Sequence, residues 1–577
     1  MKVKLATTAG FCMGVRRAME MALAAANKDK GPLFTYGPLI HNKQVLELLE
    51  LKNVTAVDDV TGIEKGVLLI RAHGIPPQQR KVLKSSPLKI IDATCPRVAH
   101  VQALIRYHTK KGYTPGIAGD KDHAEVIGLM GYSEGKARVI NSPNEVLNLP
   151  ETDKLFIVAQ TTQNEQVYDE IVDAVKKRYP DALIFDTICE STRQRQKEVK
   201  ALAEDVDGIV VVGGYHSGNS RRLAQVSKST GIPTFHIETE KDLVKEDFSS
   251  MEVIGVTAGA STPNWMIKNV VKEIEAIRGR GETFIDRWIK KGLKFLLLSN
   301  LLGALGAFSL SYAAALLSGR RPGFLYPLLT LLYIYAMHVL NRFLDKGAST
   351  YNDPERASFY RRHMIFLVIT GIGAIIVSLI ISLHLGKILF FAMAGLCLLG
   401  IIYSIPVVPL SRRHLWRYSK IKDIPGSRTI SEALAWAAII TLLPLLESFH
   451  VEWATVMISF FIVFSIAFVR SAFFDIFQVQ GDLIVGVETL PITLGEKRTM
   501  ILLKWIMVSA GLVLLIAPLF GLVSPFSLML LICLLTLSFS LMAYEYRQIY
   551  PGLPLEYLVE GNLILSGLLG VIWQILK

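Results

Sequence analysis

Three cysteines share a local context that could support metal chemistry. Cys12 (TTAGFCMGVRRA), Cys95 (KIIDATCPRVAH) and Cys189 (LIFDTICESTRQ) each follow a β-rich run and precede a run with helical spacing. They are separated by 83 and 94 residues, so one strand–cysteine–helix unit is used three times. A thiol at a helix start faces free N–H groups and the positive end of the helix dipole, which favour the thiolate. Three converging thiolates predict a metal-cluster site with one open coordination position.

Other roles for these cysteines are less consistent with the sequence. A lone cysteine is usually a small buried apolar residue, and Cys397 and Cys533, which lie in apolar runs, are predicted to be of that kind. Disulfides are not expected, because the start MKVKLATTAG lacks signal-peptide character and predicts a reducing compartment. Structural zinc is disfavoured because no C-x-x-C pair occurs.

A second group of residues in the first half could bind a phosphate-type anion. These residues lie in loops at the ends of apolar strands, and their side chains donate hydrogen bonds. A single histidine at a strand end is more often a surface or a satisfied core residue, so the prediction rests on the whole group. Gly213 and Gly218 would allow the backbone to approach the anion. The group consists of His41, His73, His123, Thr161, Thr162, Ser217, Asn219 and Ser261.

The composition divides the 577 residues into two halves that must position these groups differently. Residues 1–278 have the pattern of a soluble α/β domain, with strands such as VLLIRAH and GIVVVGG between polar helices. Residues 293–577 contain apolar runs of about 20 residues, long enough to cross a bilayer. The basic stretch 279–292 is predicted to lie at a lipid surface as an interfacial connector. The net charge of +12 therefore indicates a membrane surface, and no nucleic-acid partner is expected.

An all-α bundle of nine membrane-spanning helices is predicted in the second half. If the first half is cytoplasmic, the loops after the second, fourth and sixth spans share that side, and they are long and basic, as the positive-inside rule requires. This predicts a multi-pass protein of the inner (cytoplasmic) membrane, in contact with its lipid bilayer. The spans are predicted at roughly 293–317, 323–344, 363–384, 387–408, 429–447, 452–473, 500–520, 526–545 and 559–576.

Carboxylates at the ends of two predicted spans could hold Mg²⁺. Asn341 and Asp345 end the second span, and Asp475 and Asp482 end the sixth. Acidic residues at that depth are costly and usually functional, although they could also be ordinary polar caps at the interface. Carboxylates that face each other across a bundle would hold Mg²⁺, which neutralises a diphosphate leaving group.

Nine segments of the first half resemble, in order and spacing, the 4-hydroxy-3-methylbut-2-enyl diphosphate reductase family. They are GFCMGVRRA, the segment around His41, RAHGIPP, DATCPRV, GDKDHAEVIG, AQTT, ICESTRQRQ, HSGNS and TAGAST. The resemblance implies an α/β trefoil of three similar domains, each of which gives one cysteine to a central 4Fe–4S cluster. That arrangement agrees with the threefold repeat of the cysteine context.

The resemblance also implies a role for each polar residue. Glu125, two residues after His123, is expected to donate a proton to the leaving hydroxyl group. Thr161 is expected to relay a proton or orient the substrate. The chain departs from the family pattern at Gly218, where a serine is common, and at His100, where a lysine often occurs. The substrate diphosphate is expected to be bound by His41, His73, His123, Ser217, Asn219 and Ser261.

The second half resembles the intramembrane aromatic prenyltransferases of the UbiA superfamily. The segment GDLIVGVETLPITLG is similar to that superfamily's GDR-x-x-G-x-x-TLP motif. The chain departs from the two aspartate-rich motifs of the superfamily. Ser349 takes the third place of the first motif, with Asp353 four residues late, and Gln478 takes the middle place of the second. Fewer carboxylates predict weaker binding of Mg²⁺.

Together these features predict a fused enzyme of isoprenoid synthesis. The first half would convert 4-hydroxy-3-methylbut-2-enyl diphosphate to isopentenyl and dimethylallyl diphosphate, with electrons from a donor such as ferredoxin or flavodoxin. The second half would transfer a prenyl group to a lipid-soluble acceptor. Two alternatives stay open for the membrane half: a non-catalytic anchor, and a quinone-linked module that feeds electrons to the cluster.

Overall fold

The computed structural model forms two compact units, Met1–Glu282 and Thr283–Lys577. The boundary between them lies within the stretch predicted to be a basic connector. The structure describes residues 1–28, 31–277, 284–344, 351–405, 421, 424–447, 452–546, 548–549 and 552–577.

The first unit alternates strands and helices, as its apolar and polar runs predict. Its strands are β1 Lys2–Leu5, β2 Leu33–Tyr36, β3 Val54–Val57, β4 Val67–Ile70, β5 Lys89–Asp92, β6 Thr114–Ala118, β7 Arg138–Ile140, β8 Leu155–Ala159, β9 Leu183–Phe185, β10 Gly208–Val212, β11 Thr234–Ile237 and β12 Val253–Ala258. Its helices are α1 Met13–Lys28, α2 Lys43–Glu50, α3 Pro77–Ser85, α4 Pro96–Lys110, α5 Ala124–Met130, α6 Glu165–Arg178, α7 Glu190–Ala203, α8 Gly218–Ser229 and α9 Asn264–Ala276.

The twelve strands form three parallel sheets with the same internal order. The orders are β3-β2-β4-β5, β7-β6-β8-β9 and β11-β10-β12-β1. If the strands of each unit are numbered one to four, every sheet has the order two, one, three, four, with strands two and four at the edges. The third sheet takes its fourth strand from the start of the chain, because β1 pairs with β12. The predicted set of three similar α/β domains is therefore confirmed.

Apolar strand cores hold each sheet between its helices. Every residue of β4, β8 and β10 is buried, and these strands are rich in Val, Ile and Leu. Parallel sheets are covered on both faces, so their inner strands are apolar throughout rather than alternating. The order of each sheet also makes its fourth strand, β1, β5 or β9, an edge strand. Each of the three cysteines follows one of these edge strands.

The second unit is helical throughout the part of it that the structure describes. Its α-helices are α10 Phe284–Leu298, α11 Leu301–Leu317, α12 Leu325–Leu344, α13 Pro354–Arg362, α14 Met364–Leu385, α15 Lys387–Ser404, α16 Ser427–Ala437, α17 Trp453–Val485, α18 Leu490–Leu494, α19 Glu496–Ile516, α20 Ser527–Glu545 and α21 Leu553–Leu576.

The predicted count of nine membrane spans is not confirmed. Among the described residues, seven helices are long and apolar enough to cross a membrane, or up to eight if a bent pair forms one span. The bent pair joins residues 285–298 and 301–317 at 72°. Helix α12, predicted as the second span, is not among the seven, and its last turns carry the polar residues His338, Asn341 and Arg342.

Helix α10 has the composition of a helix that lies along a lipid surface. Ile285, Trp288 and Ile289 are 68%, 65% and 56% exposed. Four basic residues share the helix with them: Arg287, Lys290, Lys291 and Lys294. Apolar side chains insert between lipid tails while Lys and Arg contact anionic headgroups. These features support the prediction of an interfacial connector, which in the structure begins at Phe284.

Candidate functional site

The three cysteines occupy equivalent places in the three sheets. Each lies just past the carboxyl end of its edge strand, and its N–H donates to a backbone carbonyl in the loop after the third strand of the same sheet. Each of those carbonyls belongs to the second residue beyond its strand. The three hydrogen bonds are Cys12 to Ala260 (3.2 Å), Cys95 to Ala72 (2.9 Å) and Cys189 to Thr161 (2.9 Å).

The three thiols line one cavity of about 740 Å³, part of which is open to solvent. All three are partly exposed, and Cys95 and Cys189 are the N-cap residues of α4 and α7. A Cβ on Gly14 would lie 2.5 Å from the Cys95 sulfur, so the glycine keeps the space beside that thiol open. The sequence therefore correctly predicts that the cysteines meet.

The helix start acts on the Cys95 thiol in the predicted direction, but burial has the larger effect on its pKa. Burial raises the pKa of this thiol, and the neighbouring Cys12 and Cys189 raise it further, against the N–H groups of Arg97 and Val98, which lower it. The helix start thus contributes in the expected direction but is outweighed by desolvation. A cation placed among the three sulfurs would favour their thiolate forms.

Three imidazoles form a cluster in the same cavity. The ring centroids of His41, His73 and His123 are 4.7 to 5.8 Å apart, and one nitrogen from each lies within 4.8 Å of the others. Burial is the largest cause of a lowered pKa in all three rings, and for His123 it lowers the pKa to about 4. Repulsion from nearby histidines and arginines adds to the effect, so the free pocket favours neutral imidazoles at pH 7.

The fold places the polar residues by the same threefold rule. His41, His123 and Ser217 each lie five residues past the first strand of their sheets, which end at Tyr36, Ala118 and Val212. His123 and Ser217 also cap helices, because the His123 Nδ1 accepts from the Glu125 N–H (3.2 Å) and the Ser217 Oγ from the Ser220 N–H (3.4 Å). Serine in the third unit thus stands where the other two units carry histidine.

The hydroxyl and amide groups complete one wall of the pocket. Ser261 Oγ lies 3.3 Å from Ser217 Oγ and donates to the His41 carbonyl at 3.2 Å. Asn219 is buried, and its Nδ2 has no hydrogen-bond partner among the described residues. A Cβ on Gly218 would lie 3.2 Å from His123 Nε2. The glycine at this position therefore gives the His123 ring room that a serine would restrict.

Glu125 is a buried carboxyl group that accepts hydrogen bonds from Thr161. It is 2% exposed, and Thr161 donates to it twice, from its N–H (2.7 Å) and from its Oγ1 (2.9 Å). Burial raises the pKa of Glu125 to about 7, although both hydrogen bonds from Thr161 lower it. At neutral pH the Glu125 carboxyl group therefore populates both its protonated and its ionised form, which suits a proton donor.

Two arginines that position this site were not found from the sequence. Arg195 donates to the carbonyls of Gly10 (2.7 Å) and Ala258 (2.9 Å), and so ties α7 to the loop that carries Cys12. Arg222 forms a 3.0 Å ion pair with Asp120, which ties α8 to the loop that carries His123. Both arginines lie in polar helical runs that look like solvated surface in the sequence, and only their burial in the fold distinguishes them.

In the membrane half, two of the predicted Mg²⁺ residues, Asp475 and Asp482, lie on one face of α17. Asp475 is 2% exposed, accepts a 2.7 Å hydrogen bond from Thr429 Oγ1 and lies 3.7 Å from Arg428 Nε. Asp482, two turns further along, is fully buried and accepts from Asn352 Nδ2 at 2.8 Å.

Of the other predicted Mg²⁺ residues the structure describes only Asn341, and of the positions where the chain departs from the motifs it describes Asp353 and Gln478. Asn341 is half-buried in α12, while Asp345 and Ser349 lie outside the described residues. Asp353 caps α13 by accepting from the Arg356 N–H (2.9 Å). Gln478 accepts from Arg428 Nη2 at 3.2 Å, so the arginine spans the two polar side chains Asp475 and Gln478 of α17. Sequence reasoning missed Arg428.

Comparison with known proteins agrees with this division of the chain. Residues 3–275 match the LytB protein family, and residues 300–558 match the UbiA prenyltransferase family. The 4-hydroxy-3-methylbut-2-enyl diphosphate reductase of Opitutus terrae is 41% identical over 289 residues, a match that covers 48% of this chain and 100% of that protein. The reductase of the same name from Geobacter sulfurreducens is 42% identical over 275 residues, covering 48% of this chain and 97% of that protein.

Solved structures resemble the two halves separately. A structure of (E)-4-hydroxy-3-methyl-but-2-enyl diphosphate reductase has 38% identity and a TM-score of 0.39, covering 48% of this chain and 100% of that one. A UbiA homolog from Archaeoglobus fulgidus bound to GPP and Mg²⁺ has 16% identity and a TM-score of 0.35, covering 48% of this chain and 99% of that one.

The identity and full coverage of the reductases settle the family of the first half, and the second family match begins 25 residues after the first one ends. The chain therefore belongs to the LytB family of 4-hydroxy-3-methylbut-2-enyl diphosphate reductases, and its second half matches the UbiA prenyltransferase family.

Proposed function

We propose that the first half reduces 4-hydroxy-3-methylbut-2-enyl diphosphate to isopentenyl and dimethylallyl diphosphate, and that the second half transfers a prenyl group within the membrane. The observation that carries the first proposal is a single cavity that joins three thiols, three imidazoles and one buried carboxyl group. Removal of an allylic hydroxyl group as water needs two electrons and two protons. The cavity provides a place for an electron carrier, an anion site and a proton donor.

A 4Fe–4S cluster fits the thiol end of this cavity. Three sulfurs are partly exposed to one space, and Gly14 leaves room beside Cys95. Cys12, Cys95 and Cys189 would hold the cluster, and a cluster with three protein thiolates supplies electrons and one iron atom with an open coordination position. The electron donor is predicted to be a ferredoxin or flavodoxin.

The imidazole cluster is the diphosphate site in this proposal. Neutral imidazoles accept protons when a multiply charged anion enters, because the anion favours their cationic forms. His41, His73 and His123 then donate charge-assisted hydrogen bonds. The unpartnered Asn219 amide and the Ser217 and Ser261 hydroxyls complete the set of donors.

Glu125 delivers the proton in this proposal, held in place by Thr161. A carboxyl group with a pKa of about 7 is protonated often enough at neutral pH to act as a general acid. Thr161 fixes both oxygens of Glu125, so the carboxyl group keeps one orientation.

The membrane half carries the second activity. Its apolar helices make this a multi-pass membrane protein, which we assign to the cytoplasmic membrane with the reductase on the cytoplasmic side. The buried carboxylates Asp475 and Asp482 fit Mg²⁺, which binds oxygen ligands and would neutralise a prenyl diphosphate. Arg428, beside Asp475, adds a fixed positive charge for the same anion.

We expect Glu125→Gln to lower reductase turnover by about 100-fold or more, because glutamine fills the same space but donates no proton. The brown iron–sulfur colour and substrate binding should be retained. Anaerobic turnover with a chemical reductant measures the effect. Glu134→Gln, at an exposed position, is the matched control. Turnover within a few-fold of wild type in Glu125→Gln would remove Glu125 from this role.

Cys95→Ala should abolish the stable iron–sulfur chromophore of the reconstituted protein, because two thiolates do not hold the cluster. Cys397→Ala, which changes a buried cysteine of the membrane half, should leave the chromophore intact. Iron content and visible absorbance of the two proteins measure the difference. Equal iron content in both variants would contradict the assignment of the three cysteines as ligands.

Diphosphate binding should take up protons at neutral pH, because imidazoles whose pKa values are lowered in the free pocket become protonated beside the anion. Calorimetry of inorganic diphosphate binding in buffers of different ionisation enthalpy measures the uptake. His123→Gln should take up fewer protons than wild type, whereas His100→Gln, an exposed control, should match it. Equal uptake in His123→Gln and wild type would place the protons elsewhere.

Asp475→Asn should abolish Mg²⁺-dependent transfer of a prenyl group to phenolic acceptors while leaving the reductase active. Asp286→Asn, in helix α10, is the matched control and should transfer normally. The assay uses the full chain in lipid nanodiscs with prenyl diphosphates and quinone-precursor phenols. Absence of transfer by wild type with every acceptor, while reduction persists, would instead support a non-catalytic anchor. Quinol-driven reduction would support the electron-entry module.

A further inference from the structure

Beneath Asp475 the membrane half contains a second polar layer that the transfer of diphosphate does not use. Arg470 donates to both oxygens of Glu560 (2.5 and 3.1 Å) and to Glu432 Oε1 (2.7 Å). Ser471 Oγ donates to Glu432 Oε2 at 2.7 Å. His338 Nε2 lies 3.6 Å from Glu432 Oε1.

This polar layer lies about one helical turn from the Asp475 layer. Three helices each carry one residue of the Asp475 layer and one residue of the second layer. These pairs are Asn341 and His338 in α12, Thr429 and Glu432 in α16, and Asp475 and Ser471 in α17. Each step is three or four residues, and thus about 5 Å along the helix axis. In every case the step leads from the helix end near Asp475 toward the middle of the bundle.

Two side chains of the layer are partly exposed, and two are buried. The His338 and Glu432 side chains are 25% and 23% exposed, whereas those of Arg470 and Glu560 are 8% and 7% exposed. A charged carboxylate directed at lipid is strongly disfavoured, so we place the accessible side of this pair toward the interior of the bundle. The Arg470–Glu560 pair fixes the layer, and His338 with Glu432 forms its accessible part.

A buried donor beside the pair points to a polar ligand. Trp436 is 1% exposed, and its Nε1–H has no hydrogen-bond partner among the described residues. It lies one turn from Glu432 along α16. Its ring contacts His338 edge to face, with centroids 6.3 Å apart, and the Arg470 guanidinium lies 5.1 Å above it. An unsatisfied buried N–H is costly, and a ligand oxygen would satisfy it.

We propose that His338, which lies 3.6 Å from Glu432, is the proton acceptor of the prenyl transfer to a phenolic acceptor. This inference rests on the proposed transferase function of the membrane half. The hydroxyl group lies against His338, and the ring packs beside Trp436, one turn beneath the diphosphate layer.

The reaction balances as follows. The bond between C1 of the prenyl chain and the diphosphate oxygen breaks, and the diphosphate leaves with the electron pair. A ring carbon beside the hydroxyl group supplies the electron pair for the new bond to C1, while the O–H bond breaks and its proton passes to the His338 imidazole. The C–H bond at that carbon then breaks, its electrons restore the aromatic ring, and its proton returns to the oxygen, so one proton is released in total. The Glu432 carboxylate stabilises the imidazolium that forms, because opposite charges 3.6 Å apart attract strongly away from water.

The decisive test uses His338→Ala in the full chain, reconstituted in nanodiscs with Mg²⁺, a prenyl diphosphate and 4-hydroxybenzoate as the probe acceptor. Transfer should fall about 100-fold or more, while Mg²⁺-dependent release of prenyl alcohol continues, because ionisation of the diphosphate does not need the base. Added imidazole should restore transfer to His338→Ala. His384→Ala, at an exposed position in α14, should transfer like wild type. The methyl ether of the probe should not be prenylated.

Each outcome separates the inference from the function on which it rests. Transfer by His338→Ala within a few-fold of wild type overturns the inference and leaves the transferase in place. Loss of both transfer and prenyl alcohol release, without rescue by imidazole, also overturns it, since it assigns His338 a structural role. Neither product from the wild-type protein overturns the transferase proposal itself, and the inference with it. Unchanged reductase activity in every variant verifies that the first half folds, and continued Mg²⁺-dependent release of prenyl alcohol verifies that the membrane half does.

Discussion

The first half of this protein depends on how the carboxyl ends of three parallel sheets are brought to one point. Within each sheet, a hydrogen bond from the cysteine N–H to the loop after the third strand sets the position of the thiol. Between sheets, arginines make the contacts: Arg17 of α1 donates to the carbonyl of Thr94 beside Cys95, and Arg195 of α7 donates to Gly10 beside Cys12. Because backbone carbonyls accept these bonds, the geometry is largely independent of the side chains at the loops themselves.

One physical effect, removal from water, prepares both ends of the reductase pocket. Burial disfavours charge, so it raises the pKa of the Glu125 carboxyl and lowers the pKa of the His123 imidazole. Before substrate arrives, burial therefore favours neutral imidazoles and a carboxyl group that can hold a proton. In the proposed reaction, a diphosphate reverses that balance on the imidazole side. The carboxyl group, held by Thr161 at a separate point, stays available to give up its proton.

The membrane half separates charge by depth. The layer around Asp475 combines carboxylates with Arg428, which suits a metal ion and a diphosphate. One turn further in, Arg470 pairs with both Glu560 and Glu432, and His338 lies 3.6 Å from Glu432. Ionisable groups survive inside an apolar bundle only when they are paired, and each pairing here joins different helices. The same contacts that hold the helices together therefore shape the polar space between them.

Much of this protein was determined by its sequence alone. Strand–cysteine–helix units, apolar runs of membrane length and the polar loop residues are local patterns, and the structure brings Cys12, Cys95 and Cys189 to one cavity, as those patterns predict. The tertiary structure decided what depends on distant partners. The third sheet is completed by β1, whose partner β12 lies about 250 residues away. The sequence therefore does not show that the three sheets share one strand order. The pKa of Cys95 follows burial rather than its helix start. The pairing of His338 with Glu432 joins two helices whose sequences show only isolated polar residues, because packing, not spacing, sets which faces meet.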